Sequence, residues 1–114
     1  MRADQAIREY CKEFYGYLKG YHISYQDRDY GTYIQNGLER WIIEYQYLPD
    51  KQKIQVMLFH SNLFYSSASR KTKYPDYHLQ FKQQMNPGEL AGYIYTHSNK
   101  YQKCNKVERM INEL

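Results

Sequence analysis

The chain has 114 residues, 16 Lys/Arg against 12 Asp/Glu, and a net charge of +4. That length suits one domain, typically about 100–150 residues, able to bury a core without metal or disulfide staples. Two cysteines (Cys11 and Cys104), three prolines and six glycines exclude a disulfide scaffold, a collagen-like repeat and a proline-rich disordered chain.

The opening Met1-Arg2-Ala3-Asp4 leads into a charged amphipathic segment rather than an apolar one, so no signal peptide is expected. The longest apolar runs, 41–43 and 56–59, fall far short of the roughly 20 residues a membrane helix needs. The expectation is a soluble cytoplasmic protein with reduced thiols and no membrane partner.

Residues 3–19 read as an amphipathic helix. Ala6, Ile7, Tyr10, Cys11, Phe14, Tyr17 and Leu18 recur at 3–4 spacing on one face, with Arg8, Glu9, Lys12, Glu13 and Lys19 on the other. Asp4 complements the positive end of the helix dipole, and Gly20 reads as the stop. Tyr21–Gln26 alternates like a short strand, Asp27–Gly31 reads as a turn, and Thr32–Gln35 as a second short strand. Asn36-Gly37 is a favoured hairpin dipeptide.

Leu38–Leu48 then forms a long strand with Trp41, Ile43, Tyr45 and Tyr47 on one face and Ile42, Glu44, Gln46 and Leu48 on the other. A helix through Ile34, Leu38, Trp41, Ile42 and Tyr45 is the rival. The β-branched and aromatic content, with Asn36-Gly37 as a helix breaker, favours the strand. Pro49–Lys53 is a polar turn, and Ile54–His60 pairs back as a strand with Ile54, Val56 and Leu58 on one face. Its other face (Gln55, Met57, Phe59) is more apolar than solvent favours, so a helix or a partner should cover it.

Residues 61–76 read as a long loop, and Tyr77–Lys82 as a last strand with Tyr77, Leu79 and Phe81 inward. Asn86-Pro87-Gly88-Glu89 is a helix start, with Asn at N-cap, Pro at N1 and Glu at N3 able to reach back to the Asn86 N–H. Leu90, Ile94, His97, Tyr101 and Cys104 continue one face. Val107, Ile111 and Leu114 extend it, either in the same helix or after a break near Asn105. The expected fold is α+β: an N-terminal helix, an antiparallel sheet of three to five strands, and a C-terminal helix or helix pair, in a single domain over 1–114.

The α-β-β-β-α order resembles that of double-stranded-RNA-binding domains in architecture. That family carries a lysine-rich motif at the start of its second helix, where this chain has Pro87-Gly88-Glu89-Leu90, so the resemblance implies no RNA contact there.

Two features bear on function. Fifteen tyrosines give large, rigid contact surfaces that cost little entropy to order, which suits interfaces. The charge is also uneven: residues 1–65 hold eight Lys/Arg and eight Asp/Glu, whereas 66–114 hold eight and four, so the whole excess lies in the second half. Arg70, Lys71 and Lys73 sit among serines, and Lys103 and Lys106 share one side of the last helix. These five are the candidate contacts for nucleic acid or another anionic partner. Tyr65, Tyr74, Tyr77, Met57 and Phe59 are the candidate protein-interface residues. Asp27, Asp29, Glu39 and Glu44 could supply an opposing acidic patch.

No catalytic motif, glycine-rich phosphate loop or cofactor signature occurs. His22, His60, His78 and His97 are too scattered to suggest a metal site. His97 reads as a half-buried helix position, and Cys11 on a buried face is a poor nucleophile.

The leading expectation is a non-enzymatic binding protein, an inhibitor or adaptor contacting another protein. Size and A+T-rich-like composition suggest a phage or mobile-element origin and a host defence nuclease such as CRISPR-Cas as target. The alternatives are a nucleic-acid-binding protein using the basic loop and last helix, and a toxin-like ribonuclease with His60, Arg70 and His78 as base, phosphate clamp and acid. A homodimer through the C-terminal helix is a further expectation.

Overall fold

The computed structural model describes residues 2–62 and 73–98. Helix α1 spans Ala3–Gly20 and buries Ala6, Tyr10, Phe14 and Leu18, one residue per turn of a single stripe. Tyr17 falls off that stripe and is exposed, contrary to the sequence reading.

The helix ends at Gly20, as the sequence suggests, and a cap over the next three residues turns the chain off it. His22 takes the left-handed position (φ 60), its N–H bonds Lys19 O at 3.0 Å, and the Ile23 N–H bonds Leu18 O at 2.9 Å. This is a Schellman ending with buried Ile23 beside Leu18 as its hydrophobic contact. The cap uses residues 21–23, so the first strand begins only at Tyr25.

The sheet has five antiparallel strands in sequential order: β1 Tyr25–Arg28, β2 Gly31–Asn36, β3 Glu39–Leu48, β4 Lys53–Asn62 and β5 His78–Gln84. Residues 32–48 are thus strand and hairpin rather than the rival helix. Asp27 and Arg28, expected in a turn, belong to β1, which leaves Asp29-Tyr30 as the tight loop. The next loop is Gly37-Leu38, between the paired Asn36 and Glu39. Gly37 (φ 63) sits at its first central position, as a type II′ hairpin requires. Gly31 is needed for a different reason: a Cβ there would lie 2.0 Å from the Ile43 carbonyl oxygen of β3.

Register separates two faces. Pairing of Tyr25 with Ile34, Ile34 with Trp41, Trp41 with His60 and His60 with His78 makes one row across the inner face. Pairing of Gln26 with Tyr33, Tyr33 with Ile42, Ile42 with Phe59 and Phe59 with Leu79 makes the neighbouring row on the outer face. The inner face carries Ile34, Trp41, Ile43, Ile54, Val56 and Leu58, all in the main core with the α1 stripe. A second helix, α2, is described over residues 87–98 and adds Leu90, Ala91 and Ile94 to that core. Its start is capped by Asn86, whose Oδ1 accepts the Glu89 N–H at 2.8 Å. Glu89 reaches back to the Asn86 side-chain amide rather than to its backbone N–H. The two helices also meet directly through Tyr21 and Tyr95, stacked at 4.4 Å.

One expectation for β5 fails. Tyr77, Leu79 and Phe81 do not share a face: Leu58 pairs with Phe81 but Phe59 with Leu79, which leaves Gln80 as an extra residue in a β-bulge. The bulge keeps Phe81 on the inner face, and it leaves Leu79, 46 % exposed, on the outer one. Tyr77 is buried on the outer side with Ile42 and Phe59.

Two glycine substitutions test these placements in opposite directions. Gly16 is a helix-interior residue with nothing within 4 Å of an added Cβ, so Gly16→Ala should stabilise the protein by about 1 kcal/mol in urea unfolding. Gly31→Ala should destabilise it by at least about 1 kcal/mol, because β3 must move.

Candidate functional site

A carboxylate and three imidazoles converge at one end of the inner face. Glu39 opens β3, two residues before Trp41 and on the same side. His60 stands opposite Trp41 on β4, and His78 opposite His60 on β5. His97 reaches the same spot from α2. Its Nδ1 lies 2.8 Å from Glu39 Oε2, and His60 Nε2 lies 3.4 Å from the same oxygen. An ionised carboxylate only accepts, so the His97 ring N–H donates. The His60 contact is electrostatic and lacks hydrogen-bond geometry.

Trp41 packs over both rings, with centroids 4.2 Å from His60 and 5.1 Å from His97. His60 and His78 meet edge to face at 5.0 Å. Beyond them His78 Nε2 lies 2.7 Å from Gln80 Oε1, and Gln80 donates to the Tyr93 hydroxyl at 2.7 Å.

The cluster is largely buried and under-satisfied. Side-chain exposure is 1 % for Glu39, 8 % for His60 and 32 % for His97. Glu39 Oε1, Trp41 Nε1 and both ring nitrogens of His60 are buried with no hydrogen-bond partner among the described residues. Burial alone would raise the Glu39 carboxyl. Interaction with His60 and His97 more than offsets it and holds the group below the ordinary glutamate range. The donor atoms of Glu39, His60 and His97 all lie within 4.8 Å of one another. Sequence spacing alone gives no hint of this constellation.

The predicted interface residues also converge, on the outer face. Phe59 and Tyr77 are buried there with Ile42, and Tyr33, Met57 and Tyr74 pack against them. Tyr74 contacts Phe59 edge to face at 5.0 Å and donates to Glu44 Oε2. Lys73, the one predicted anion contact among the described residues, places Nζ 2.7 Å from the same oxygen. Tyr65, Arg70, Lys71, Lys103 and Lys106 lie outside the described residues, as do residues 63–72 of the expected loop and 99–114 of the C-terminal helix expected to dimerise, while residues 61–62 of that loop belong to β4.

The acidic patch does not form. Glu39 is buried inside, Glu44 is taken by Lys73 and Tyr74, and Asp27 accepts from the Tyr15 hydroxyl at 3.1 Å.

Of the ribonuclease set, His60 and His78 do meet, but His60 is closed off from solvent. Burial pushes the Cys11 thiol up, partly countered by hydrogen bonds with Tyr45 and Tyr15, as befits an unreactive cysteine. A cleft of about 590 Å³ lies at the opposite end of the sheet, bordered by Glu9, Glu13 and Glu89 over a floor that includes Tyr10 and Met85.

Removing the carboxylate should be costly and pH-dependent. Glu39→Ala removes the acceptor of the His97 N–H from a buried site and should lose about 1–3 kcal/mol at pH 7 in urea unfolding. The folded carboxyl is held below its unfolded value of about 4.3, so its contribution is complete above that pH. It is lost as pH falls through the folded value, and the gap between variant and wild type should therefore narrow at pH 3.

No protein-family model matches the chain, and neither a curated protein nor a solved structure is found to be similar to it.

Proposed function

We propose that the protein works by binding another protein, as an inhibitor or adaptor, through the outer face of its sheet. The observation that carries this is the convergence on one side of the aromatic and apolar residues Tyr33, Ile42, Met57, Phe59, Tyr74 and Tyr77. No helix among the described residues is placed on that side; α1 and α2 contribute to the inner core. Exposed Leu79 and Tyr30 extend the surface at its edges. Buried aromatics flanked by exposed ones form the kind of rigid patch in which a few anchors supply most of the binding energy.

Among the described residues, three cations of this face contact the protein itself, while exposed Lys82, opposite Met57, lies on the same face. Lys73 pairs with Glu44, Arg28 lies over Tyr33 and bonds Gln26, and Arg40 donates to Ser61 and lies over Tyr77. Glu44 neutralises Lys73, which favours a protein partner over a nucleic-acid backbone at that position. The narrower reading, a phage-encoded inhibitor of a defence nuclease such as CRISPR-Cas, draws on size and composition. The outer face adds a place for such a contact.

Two measurements separate the readings. Labelled single- and double-stranded DNA and RNA should not bind at low salt. Micromolar binding that weakens steeply with salt, and loses that slope when Arg70, Lys71 and Lys73 become Ala, would favour nucleic acid instead. Proteins retained by the immobilised chain should be lost with Tyr33→Ala or Leu79→Asp by about 10-fold or more, the scale of hot-spot truncation. Retention unchanged by both would remove the outer face from the account.

A further inference from the structure

We infer that Glu39, His60 and His97 form a binding site for a single divalent transition-metal ion of the zinc type. The donor set is two imidazoles and one carboxylate, a combination that suits zinc and is shared by many zinc sites with three protein ligands. The three donor atoms lie within 4.8 Å of one another, and Glu39 Oε2 is 2.8 Å from His97 Nδ1 and 3.4 Å from His60 Nε2. Tetrahedral zinc with bonds of about 2.0–2.1 Å separates its donors by about 3.3 Å. Side-chain adjustments that close at most about 1.5 Å between any two donors would therefore bring all three to bonding distance.

Burial gives the independent reason. His60 is more than nine-tenths buried, both its ring nitrogens lack a hydrogen-bond partner among the described residues, and its Nε2 lies 3.4 Å from the shared carboxylate oxygen. Buried polar atoms are nearly always satisfied, and so many unsatisfied at one place call for a ligand. A cation bonded to His60 Nε2 and the Glu39 carboxylate would give that nitrogen a partner and match the carboxylate charge. Half-buried His97 gives the ion a way in. Three protein ligands leave a fourth position for water.

The site joins β3, β4 and α2. Metal binding would therefore tie the end of the described helix to the sheet and stabilise the folded chain by mass action. Trp41, the single tryptophan, packs over both imidazoles and serves as a built-in reporter.

The test uses the full chain stripped with EDTA. Zn²⁺ should bind at one equivalent by calorimetry and raise the melting temperature progressively with free metal. Co²⁺ should bind in competition with it and quench Trp41 fluorescence. His97→Ala and His97→Gln should weaken Zn²⁺ binding by more than about 100-fold, beyond the roughly 10–100-fold of an outer-shell change. Cys104→Ser and the distant pair Glu9→Gln/Glu13→Gln should leave it intact. The site is overturned if Zn²⁺ leaves the melting temperature unchanged, if binding survives both His97 variants, or if it is lost with Cys104→Ser.

Discussion

The structure depends on the ten-pair antiparallel register between β3 and β4, from Glu39 opposite Asn62 to Leu48 opposite Lys53. Side chains alternate with a period of two, so this one alignment decides what each face of the sheet carries. Trp41, Ile43, Val56 and Leu58 go inward beneath two helices, and Ile42, Met57 and Phe59 go outward. The same alignment sets Trp41 against His60 and puts Glu39 on the inner side, where a carboxylate is tolerable only beside imidazoles. A slip of one residue would expose the core and bury the outer row in its place.

Around that hairpin the tyrosines do several jobs. On the inner face they fill space and also satisfy polar groups: Tyr15 and Tyr45 hydroxyls lie 2.7 and 2.6 Å from the buried Thr32 hydroxyl, and Tyr10 donates to the Met85 carbonyl at 2.7 Å. Burial raises the Tyr45 phenol far above its ordinary range, which keeps it neutral. On the outer face Tyr33, Tyr74 and Tyr77 form the patch around Phe59. A high tyrosine content therefore signals both core and surface here, because the side chain combines an apolar ring with a hydroxyl that can be satisfied locally.

Much of the architecture was legible in the sequence. Helical and strand periodicities located α1, β3 and β4, and Asn86-Pro87 located the start of α2. The misreadings have local causes. The cap that ends α1 runs on through left-handed His22, so the strand expected from Tyr21 starts only at Tyr25. The bulge at Gln80 has no sequence signature, and alternation across it assigns Tyr77 and Leu79 to the wrong side.

The Glu39 cluster was missed because its members come from three elements, and ligand spacing along the chain says nothing about such a site. One signal was present: Glu39 alternates with Trp41 and Ile43, and a glutamate on the core face of a strand needs a buried partner. His97, in phase with Leu90 and Ile94 on the inward face of α2, was available to supply one. Arg70, Lys71, Lys103 and Lys106 are a different matter. Their role in binding is open to experiment through the salt dependence that charge contacts impose.

The central claim is that one register divides a buried Glu/His cluster from an outward aromatic patch. Nuclear Overhauser contacts from the single tryptophan test it most directly. The account predicts cross-peaks from the Trp41 indole to ring protons of both His60 and His97, and from Phe59 to Tyr74, with none between Trp41 and Phe59. Cross-peaks from Trp41 to Phe59 or Met57 in place of His60 would mean a shifted register, and both the inner cluster and the outer patch would go with it.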